Sequence, residues 1–145
     1  NDMDNVVTIK SVLCTVIGCV GSLVASAFGG WDAGMITLVL FMAADYITGL
    51  MVAGVFHASE KTESGGLESR AGWKGLCRKG VTLLIVLVAQ RIDIVAGTSV
   101  VRDAVVIAYI VNEAISITEN AGLMGVPVPD KLMAAIDVLQ GKGTK

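Results

Sequence analysis

Long apolar runs separated by short polar gaps dominate the pattern of this 145-residue chain. The runs are near the ~20 residues that an α-helix needs to cross ~30 Å of hydrocarbon at about 1.5 Å per residue. They cover Val6–Phe28, Ala33–Phe56, Gly80–Ala96 and Val100–Leu123. The pattern predicts an all-α integral membrane protein with about four transmembrane helices, forming a single domain over residues 1–145.

Glycine, proline and helix-capping residues mark the ends of these runs. The segment from Gly29 to Asp32 supplies a break, an interfacial tryptophan and a helix N-cap. The prolines of Gly125–Pro129 stop the fourth helix, because proline cannot donate the next hydrogen bond of the ladder. Asp130 can then cap a short amphipathic C-terminal helix that lies on the membrane surface. Its apolar residues recur at helical spacing at Leu132, Met133, Ile136 and Leu139.

The first apolar run is the least typical membrane span, since it carries Lys10 and several hydroxyl side chains. These would also suit an interfacial N-terminal helix, so three spans plus such a helix are the alternative to four. No small-residue cleavage pattern precedes a soluble domain, which favours a retained helix over a cleaved signal peptide. A stripe of small side chains allows close packing, either within one subunit or between subunits. It consists of Cys14, Gly18, Ser22 and Ser26.

Basic residues are concentrated in the polar stretch from His57 to Lys79, between the second and third runs. By the positive-inside rule this stretch should be cytoplasmic. Its basic residues are Lys61, Arg70, Lys74, Arg78 and Lys79. Further lysines, Lys142 and Lys145, follow the C-terminal helix. With four spans, the N- and C-termini would both be cytoplasmic, and the junction between the third and fourth runs would lie outside.

Polar side chains also occur inside the predicted spans, where a charge costs ~3 kcal/mol on insertion scales. Asp45 lies near the middle of the second span, and Thr48 and Gly49 share its helical face. The fourth span carries a polar stripe made of Asn112, Glu113, Ser116, Glu119 and Asn120. Such faces should meet protein or water rather than lipid. They are candidates for oligomerisation or for lining an aqueous path, and packing within one subunit is the alternative.

Two arginines lie near the predicted outer ends of the third and fourth spans. Arg91 could pair with Asp93 or Glu113 inside the subunit, or extend to the interface on its long stem. Arg102 and Asp103 are expected to be interfacial caps.

Composition agrees with a membrane protein and argues against other classes. Hydrophobic residues make up 54% of the chain and charged residues 17%, with a mean hydropathy of +0.73. A net charge of −2 without a basic, aromatic-rich cluster argues against nucleic-acid binding. Cys14, Cys19 and Cys77 form no C-x-x-C pair and predict free thiols. His57, the only histidine, has no partners for metal binding or catalysis, and no phosphate-binding glycine loop occurs. No enzyme activity, metal or cofactor is expected.

Three blocks of sequence resemble the phage holin family, which includes holin-like proteins associated with clostridial toxin release. Asp45–Gly49 (DYITG) is similar to the family's Asp-Tyr-x-Thr-Gly, and Ser69–Lys79 (SRAGWKGLCRK) to its cytoplasmic segment. Asn112–Asn120 (NEAISITEN), followed by Gly125–Pro129 (GVPVP), resembles its C-terminal pattern. The blocks together cover roughly Trp31 to Leu139.

The resemblance implies a small protein that oligomerises in the bacterial cytoplasmic membrane and opens lesions there. A cell-wall hydrolase, or a toxin, would leave through them without necessarily touching the protein, and host lysis would follow. Two other classes stay open. One is a narrow ion or small-solute channel or transporter subunit, with Asp45, Glu113 and Glu119 binding ions. The other is a non-conducting inhibitor of holin assembly, which would leave the membrane intact.

Overall fold

A computed structural model describes residues 2–141, and within that range the chain forms five α-helices and no β-strand. The helices are α1 (Asp2–Ala27), α2 (Ala33–Gly54), α3 (Ser69–Ala96), α4 (Val100–Leu123) and α5 (Asp130–Leu139). The prediction of an all-α protein is confirmed. Of the four long helices, α1 and α2 are apolar enough to cross a membrane by length and composition. The number of spans stays a prediction, because α3 and α4 carry more charged side chains.

The third helix begins earlier than its apolar run. It starts at Ser69 rather than Gly80 and runs for 28 residues, which is about 42 Å at ~1.5 Å per residue. Half of the stretch between His57 and Lys79 is therefore helical. Hydropathy marks only where a helix becomes apolar. It does not detect the polar first turns of α3, although the Arg and Lys residues there favour a helix.

The last helix also differs in detail from expectation. Asp130 is the first residue of α5 rather than its cap, and Pro129 occupies the N-cap position without a side-chain hydrogen bond. Proline fixes the extended backbone that precedes a helix, so no capping side chain is needed to set the chain direction. Ile136 is buried, and α5 packs against α4. The two C-terminal lysines, Lys142 and Lys145, lie outside the described residues.

Helices α2, α3 and α4 pack into a bundle with α4 at its centre, and α4 also contacts α5. Its core is an apolar cluster, partly covered by Phe28 and Tyr109. The buried members are Met35, Leu38, Met42, Val86 and Val106. Leu38 and Val86 are fully buried, so α2 and α3 both contribute central side chains.

In contrast, α1 has no buried residue. The small-residue stripe predicted on this helix is exposed along its length, and a methyl group added at Gly18 would have nothing within 4 Å. Packing within one subunit was one of two possibilities for this stripe. The described structure does not contain that packing.

Arg102 joins the connection between α1 and α2 to the start of α4. Its Nη1 lies 2.6 Å from Asp32 Oδ2, and its Nε donates to the carbonyl of Phe28 at 2.7 Å. A longer bond of 3.4 Å reaches the carbonyl of Gly30. Arg102 is buried, so the expectation of a simple interfacial cap is wrong. A guanidinium presents several donors in a fixed plane and can hold several loop oxygens together. We call this end of the bundle the Arg102 end.

Asp93 provides the cap of α4 from the preceding helix. Its Oδ2 accepts from the backbone N–H of Arg102 at 2.8 Å, and its Oδ1 accepts from that of Val101 at 3.1 Å. The hydroxyl of Thr98 donates to the same Oδ1 at 2.5 Å. These N–H groups have no partner within α4, so a carboxylate is favourable at this helix start. The turn closes because Gly97 adopts a left-handed backbone (φ 68°).

Asp32 caps α2, as predicted, by accepting from the backbone N–H of Met35 at 2.9 Å. Its hydrogen bond with the Arg102 guanidinium is the main reason that the pKa of Asp32 lies below its ordinary value of 3.8. A carboxyl with a lowered pKa stabilises the fold fully above its ordinary pKa. That contribution declines as the pH falls through the lowered value.

We therefore predict that Asp32→Asn lowers the thermal stability of the detergent-solubilised protein at neutral pH and has no effect at strongly acid pH. Asparagine can still cap the helix, so the difference from wild type reports the carboxylate charge. The difference should shrink only below pH 3.8. Asp103→Asn is the matched control, since Asp103 also contacts Arg102 but its side chain is 64% exposed, against 49% for Asp32. An Asp32→Asn effect that is the same at every pH would contradict this account.

Candidate functional site

A cluster of charged side chains lies between α2, α3 and α4. The Nζ of Lys79 is 2.7 Å from Oδ2 of Asp45 and 2.6 Å from Oε2 of Glu113. The exposed fractions of the three side chains are 15% for Lys79, 11% for Asp45 and 7% for Glu113. One ammonium group thus serves two carboxylates from different helices. We call these three residues, with Thr48 and Asn120, the charge cluster.

Asn120 completes the hydrogen bonding of the cluster. Its Nδ2 donates to Oδ1 of Asp45 at 3.1 Å and to Oγ1 of Thr48 at 2.9 Å. The Thr48 hydroxyl can accept this bond because its own hydrogen is directed to the carbonyl of Ala44, 2.8 Å away. Within residues 2–141, no buried side-chain nitrogen or oxygen lacks a partner. Asp45 therefore binds Lys79 with one carboxylate oxygen and Asn120 with the other.

Helical spacing explains how α4 supplies two members of the cluster. Glu113 and Asn120 are seven residues apart, or two turns, and they lie on the face that packs against α2. On α2, Asp45 and Thr48 are three residues apart and share one face. A methyl group at Gly49 would lie 3.8 Å from Nδ2 of Asn120. This is an ordinary contact distance, so the packing of α2 on α4 has room for an alanine there.

The cluster has an unequal charge count, with two carboxylates and one ammonium. Ion pairs of this kind are poor sources of stability, because desolvation offsets most of the attraction. Removing Lys79, however, would leave both carboxylates buried without a counter-charge, which costs about 3–5 kcal/mol. The cluster therefore ties the three helices to one another, although it adds little to their stability compared with apolar packing.

A cavity of about 570 Å³ adjoins the cluster and is bounded by α2, α3, α4 and the segment between α2 and α3. Asp45, Lys79 and Glu113 line it, together with Asn112 and Ser116 of the predicted α4 stripe. The cavity provides the volume for water beside the charges.

Tyr46 packs against the side of α3 that carries two glycines. A methyl group at Gly72 would lie 3.5 Å from the Tyr46 hydroxyl oxygen, and one at Gly75 would lie 3.9 Å from the Tyr46 ring. The missing side chains leave room for the ring, and α3 can approach α2 near the charge cluster.

The structure thus brings together some of the residues that the sequence singled out. Asp45, Thr48, Glu113 and Asn120 lie in the cluster, whereas Glu119 is exposed. The exposed residues Arg70, Lys74 and Arg78 follow one another at four-residue intervals along the first turns of α3. Within the predicted basic segment, only Lys79 reaches into the bundle.

Lys79 is the residue of this site that sequence reasoning missed. It stands at the boundary between the basic stretch and the third apolar run, and that position predicts the same cytoplasmic surface as for its neighbours. The available signal was that Asp45 and Glu113 both need a cation, and that Lys79 precedes the third apolar run directly.

The ion pairs considered for Arg91 do not occur in the described part of the chain. Arg91 is exposed, Asp93 caps α4 and Glu113 binds Lys79. The charge of Arg91 is therefore at the helix surface, while the partners assigned to it are used elsewhere.

Neither metal binding nor disulfide formation is indicated by the described residues. Over residues 2–141 there is no group of three or more His, Cys, Asp and Glu side chains that could hold a metal ion. The three cysteines are free and exposed.

Comparisons with known proteins agree with the resemblance carried by the sequence blocks. The Bacteriophage holin family matches residues 22–141. An uncharacterized 14.9 kDa protein of Clostridium perfringens is 38% identical over 124 residues, which are 84% of this chain and 88% of that protein. An uncharacterized protein of Listeria monocytogenes is 38% identical over 123 residues, or 84% of this chain and 82% of its own.

One relative has a name that states a function. A probable holin of Bacillus phage phi105 is 36% identical over 97 residues, which are 66% of each chain. No solved structure matches the chain. With residues 22–141 matched by the family and a probable phage holin among its relatives, the chain belongs to the bacteriophage holin family.

Proposed function

We propose that this protein is a holin, which accumulates in the bacterial cytoplasmic membrane, oligomerises and opens lesions. A cell-wall hydrolase, or a toxin, then leaves the cytoplasm through them. Family membership and the phage relative support this role. The structural observation that carries it is the charge cluster, because Asp45, Lys79 and Glu113 are enclosed by helices whose other surfaces are largely apolar.

The cluster suits a protein that exchanges a lipid environment for an aqueous one. In lipid, Asp45, Lys79 and Glu113 must satisfy one another, because the hydrocarbon offers no hydrogen bonds. In a water-filled lesion the same side chains can be hydrated, so their enclosure is no longer required. Separation of α4 from α3 would expose them at the cavity that already adjoins them. The polar faces of α2 and α4 would then form part of the lesion wall.

We propose four spans with both chain ends in the cytoplasm. Arg102 holds the α1–α2 connection beside the start of α4, so two connections lie at the Arg102 end. At the opposite end, Ser59 and Lys61 lie near Leu123 around a smaller cavity. The exposed basic turns of α3 belong to this second end. The positive-inside rule then assigns it to the cytoplasm.

Inducible expression in bacteria tests the proposed function. We expect loss of membrane potential together with release of a cytoplasmic reporter protein, because a holin lesion must pass a folded hydrolase. Depolarisation without reporter release would instead indicate a narrow channel. An intact, polarised membrane at full expression would indicate a non-conducting protein.

Cysteine labelling tests the four-span topology in a background without Cys14, Cys19 and Cys77. An impermeant maleimide should label Ser99→Cys in intact cells, because it lies at the Arg102 end. Ser64→Cys and Asn5→Cys should react only after the cells are permeabilised. Labelling at position 5 from outside would show that α1 does not span, and labelling at position 64 would overturn the orientation.

The charge cluster generates a prediction about stability. Lys79→Met should lower the unfolding free energy in detergent by about 3 kcal/mol or more, since it leaves Asp45 and Glu113 buried without a cation. Lys74→Met, at an exposed position of the same helix, should change it by less than ~0.5 kcal/mol. Tryptophan fluorescence during unfolding measures both. Equal effects of the two changes would contradict a structural role for the ion pairs.

A second variant of the charge cluster tests opening separately from folding. Glu113→Leu leaves Lys79 and Asp45 as a balanced pair, so insertion and folding should be retained. Reporter release should be delayed, because the future lesion wall loses a charge. Release with wild-type timing would count against the proposed part of Glu113 in the lesion.

A further inference from the structure

We propose that α1 of one subunit docks on an exposed face of α4 in a second copy of this chain, with the two helices antiparallel. This interface rests on the proposed four-span topology. It deepens the proposed function by naming the surfaces through which subunits assemble. The inference starts from α1, which is the one long helix without a buried residue in the described structure.

One exposed face of α1 is poorly suited to lipid. Gly18 and Ser22 offer little side chain to pack against acyl chains, and small residues favour contact between helices in membranes. The hydroxyl of Thr15 is satisfied by its own helix, through the carbonyl of Ser11 at 2.8 Å. Lys10 is different, since it is exposed and makes no salt bridge among residues 2–141. A partner with small residues and an acid would suit this face.

The second copy offers such a face on α4. Ala104, Ala108, Asn112 and Glu119 are all exposed, and they fall within about 80° around the helix axis at ~100° per residue. Asn112 lies at the middle of α4, about 18 Å from Val100. Hydrocarbon gives its amide no hydrogen bond, whereas a neighbouring helix can.

The two faces agree in depth when both are measured from the Arg102 end. At ~1.5 Å per residue, Ser22 and Gly18 lie about 8 and 14 Å from the end of α1 at Ala27. Ala104 and Ala108 lie about 6 and 12 Å from the start of α4. Each small residue of one helix therefore meets a small residue of the other.

In this register, the polar and charged residues of α1 also lie at the same depth as those of α4. Cys14 and Thr15 lie about 20 and 18 Å from the end of α1, at the level of Asn112. Lys10 lies at about 26 Å and Glu119 at about 29 Å. The exposed cation of one subunit therefore reaches the exposed acid of its neighbour, near the cytoplasmic end of both helices.

A second copy, rather than the same subunit, is the occupant that the contacts favour. Within one subunit α1 contacts α3 and not α4, so the exposed α4 residues are not covered by their own α1. The end of α1 is held by the bond from Arg102 to the carbonyl of Phe28, whereas no residue along the helix is buried by its own subunit. Head-to-tail contacts of this type continue from subunit to subunit and form rings or open chains.

Disulfide crosslinking between two differently tagged copies tests the interface in membranes. One copy carries Ser22→Cys and the other Ala104→Cys, each in the cysteine-free background. We expect a crosslinked dimer that contains both tags. Val24→Cys is the matched control, because it lies at the same distance in depth from Ala104 but on the opposite side of α1. Equal crosslinking at positions 22 and 24, or the absence of a dimer that contains both tags, would overturn the proposal.

Charge reversal provides a second readout that does not depend on cysteine geometry. Lys10→Glu and Glu119→Lys should each reduce the Ser22–Ala104 crosslink, by roughly threefold to twentyfold on the scale of intramembrane polar contacts. The double reversal should restore it. Failure of the double reversal, with both single variants correctly inserted, would eliminate the Lys10–Glu119 contact.

The outcomes separate this interface from the function. Reporter release on time without a crosslink between copies would remove the interface and leave the holin function standing. A crosslink between copies without any release of protein would support the interface and contradict the holin function.

Discussion

The packing of α2, α3 and α4 depends on one ammonium group shared by two carboxylates. Lys79 lies within 2.7 Å of Asp45 and Glu113, which come from helices on different sides of it. Because the two acids are largely buried, neither can lose its partner cheaply. The ion pairs therefore hold the three helices together. Moving or replacing one of the three charged side chains changes the electrostatic energy of the other two.

The two ends of the bundle are fixed by different chemistry. At the Arg102 end, the buried guanidinium of Arg102 binds carbonyls and a carboxylate of the connection between α1 and α2. Asp93 binds the first turn of α4. Toward the other end, the charge cluster lies beside an open cavity. The cavity gives water access to these charges, so hydration there can offset part of the cost of separating the helices. The Arg102 end would keep the helices joined while they part.

Much of this arrangement could be predicted from sequence, for physical reasons. Lipid cannot solvate polar groups, so Asp45, Glu113 and Asn120 stood out against apolar runs. Lys79 did not, because a lysine beside a basic stretch has the pattern of an exposed residue and only the packing of α3 shows where it points. Arg102 was misjudged for a similar reason, since charged residues in a first turn usually meet water. The sequence is equally silent on what packs against α1, because small-residue stripes have the same pattern whether they pack within a subunit or between subunits.

The cap of α4 by Asp93 has a consequence for biogenesis. In the proposed four-span topology Asp93 crosses the membrane with α3, and a solitary carboxylate is expensive there. Asp93 finds its N–H partners only when the start of α4 is beside it. The two helices are joined by a tight turn at Gly97, so they can acquire this contact as soon as both have been synthesised. Entry of α3 and α4 into the bilayer as a preformed hairpin would provide the carboxylate with hydrogen bonds before it meets lipid. The translocation step would then be governed by the pair of helices rather than by the hydropathy of either one.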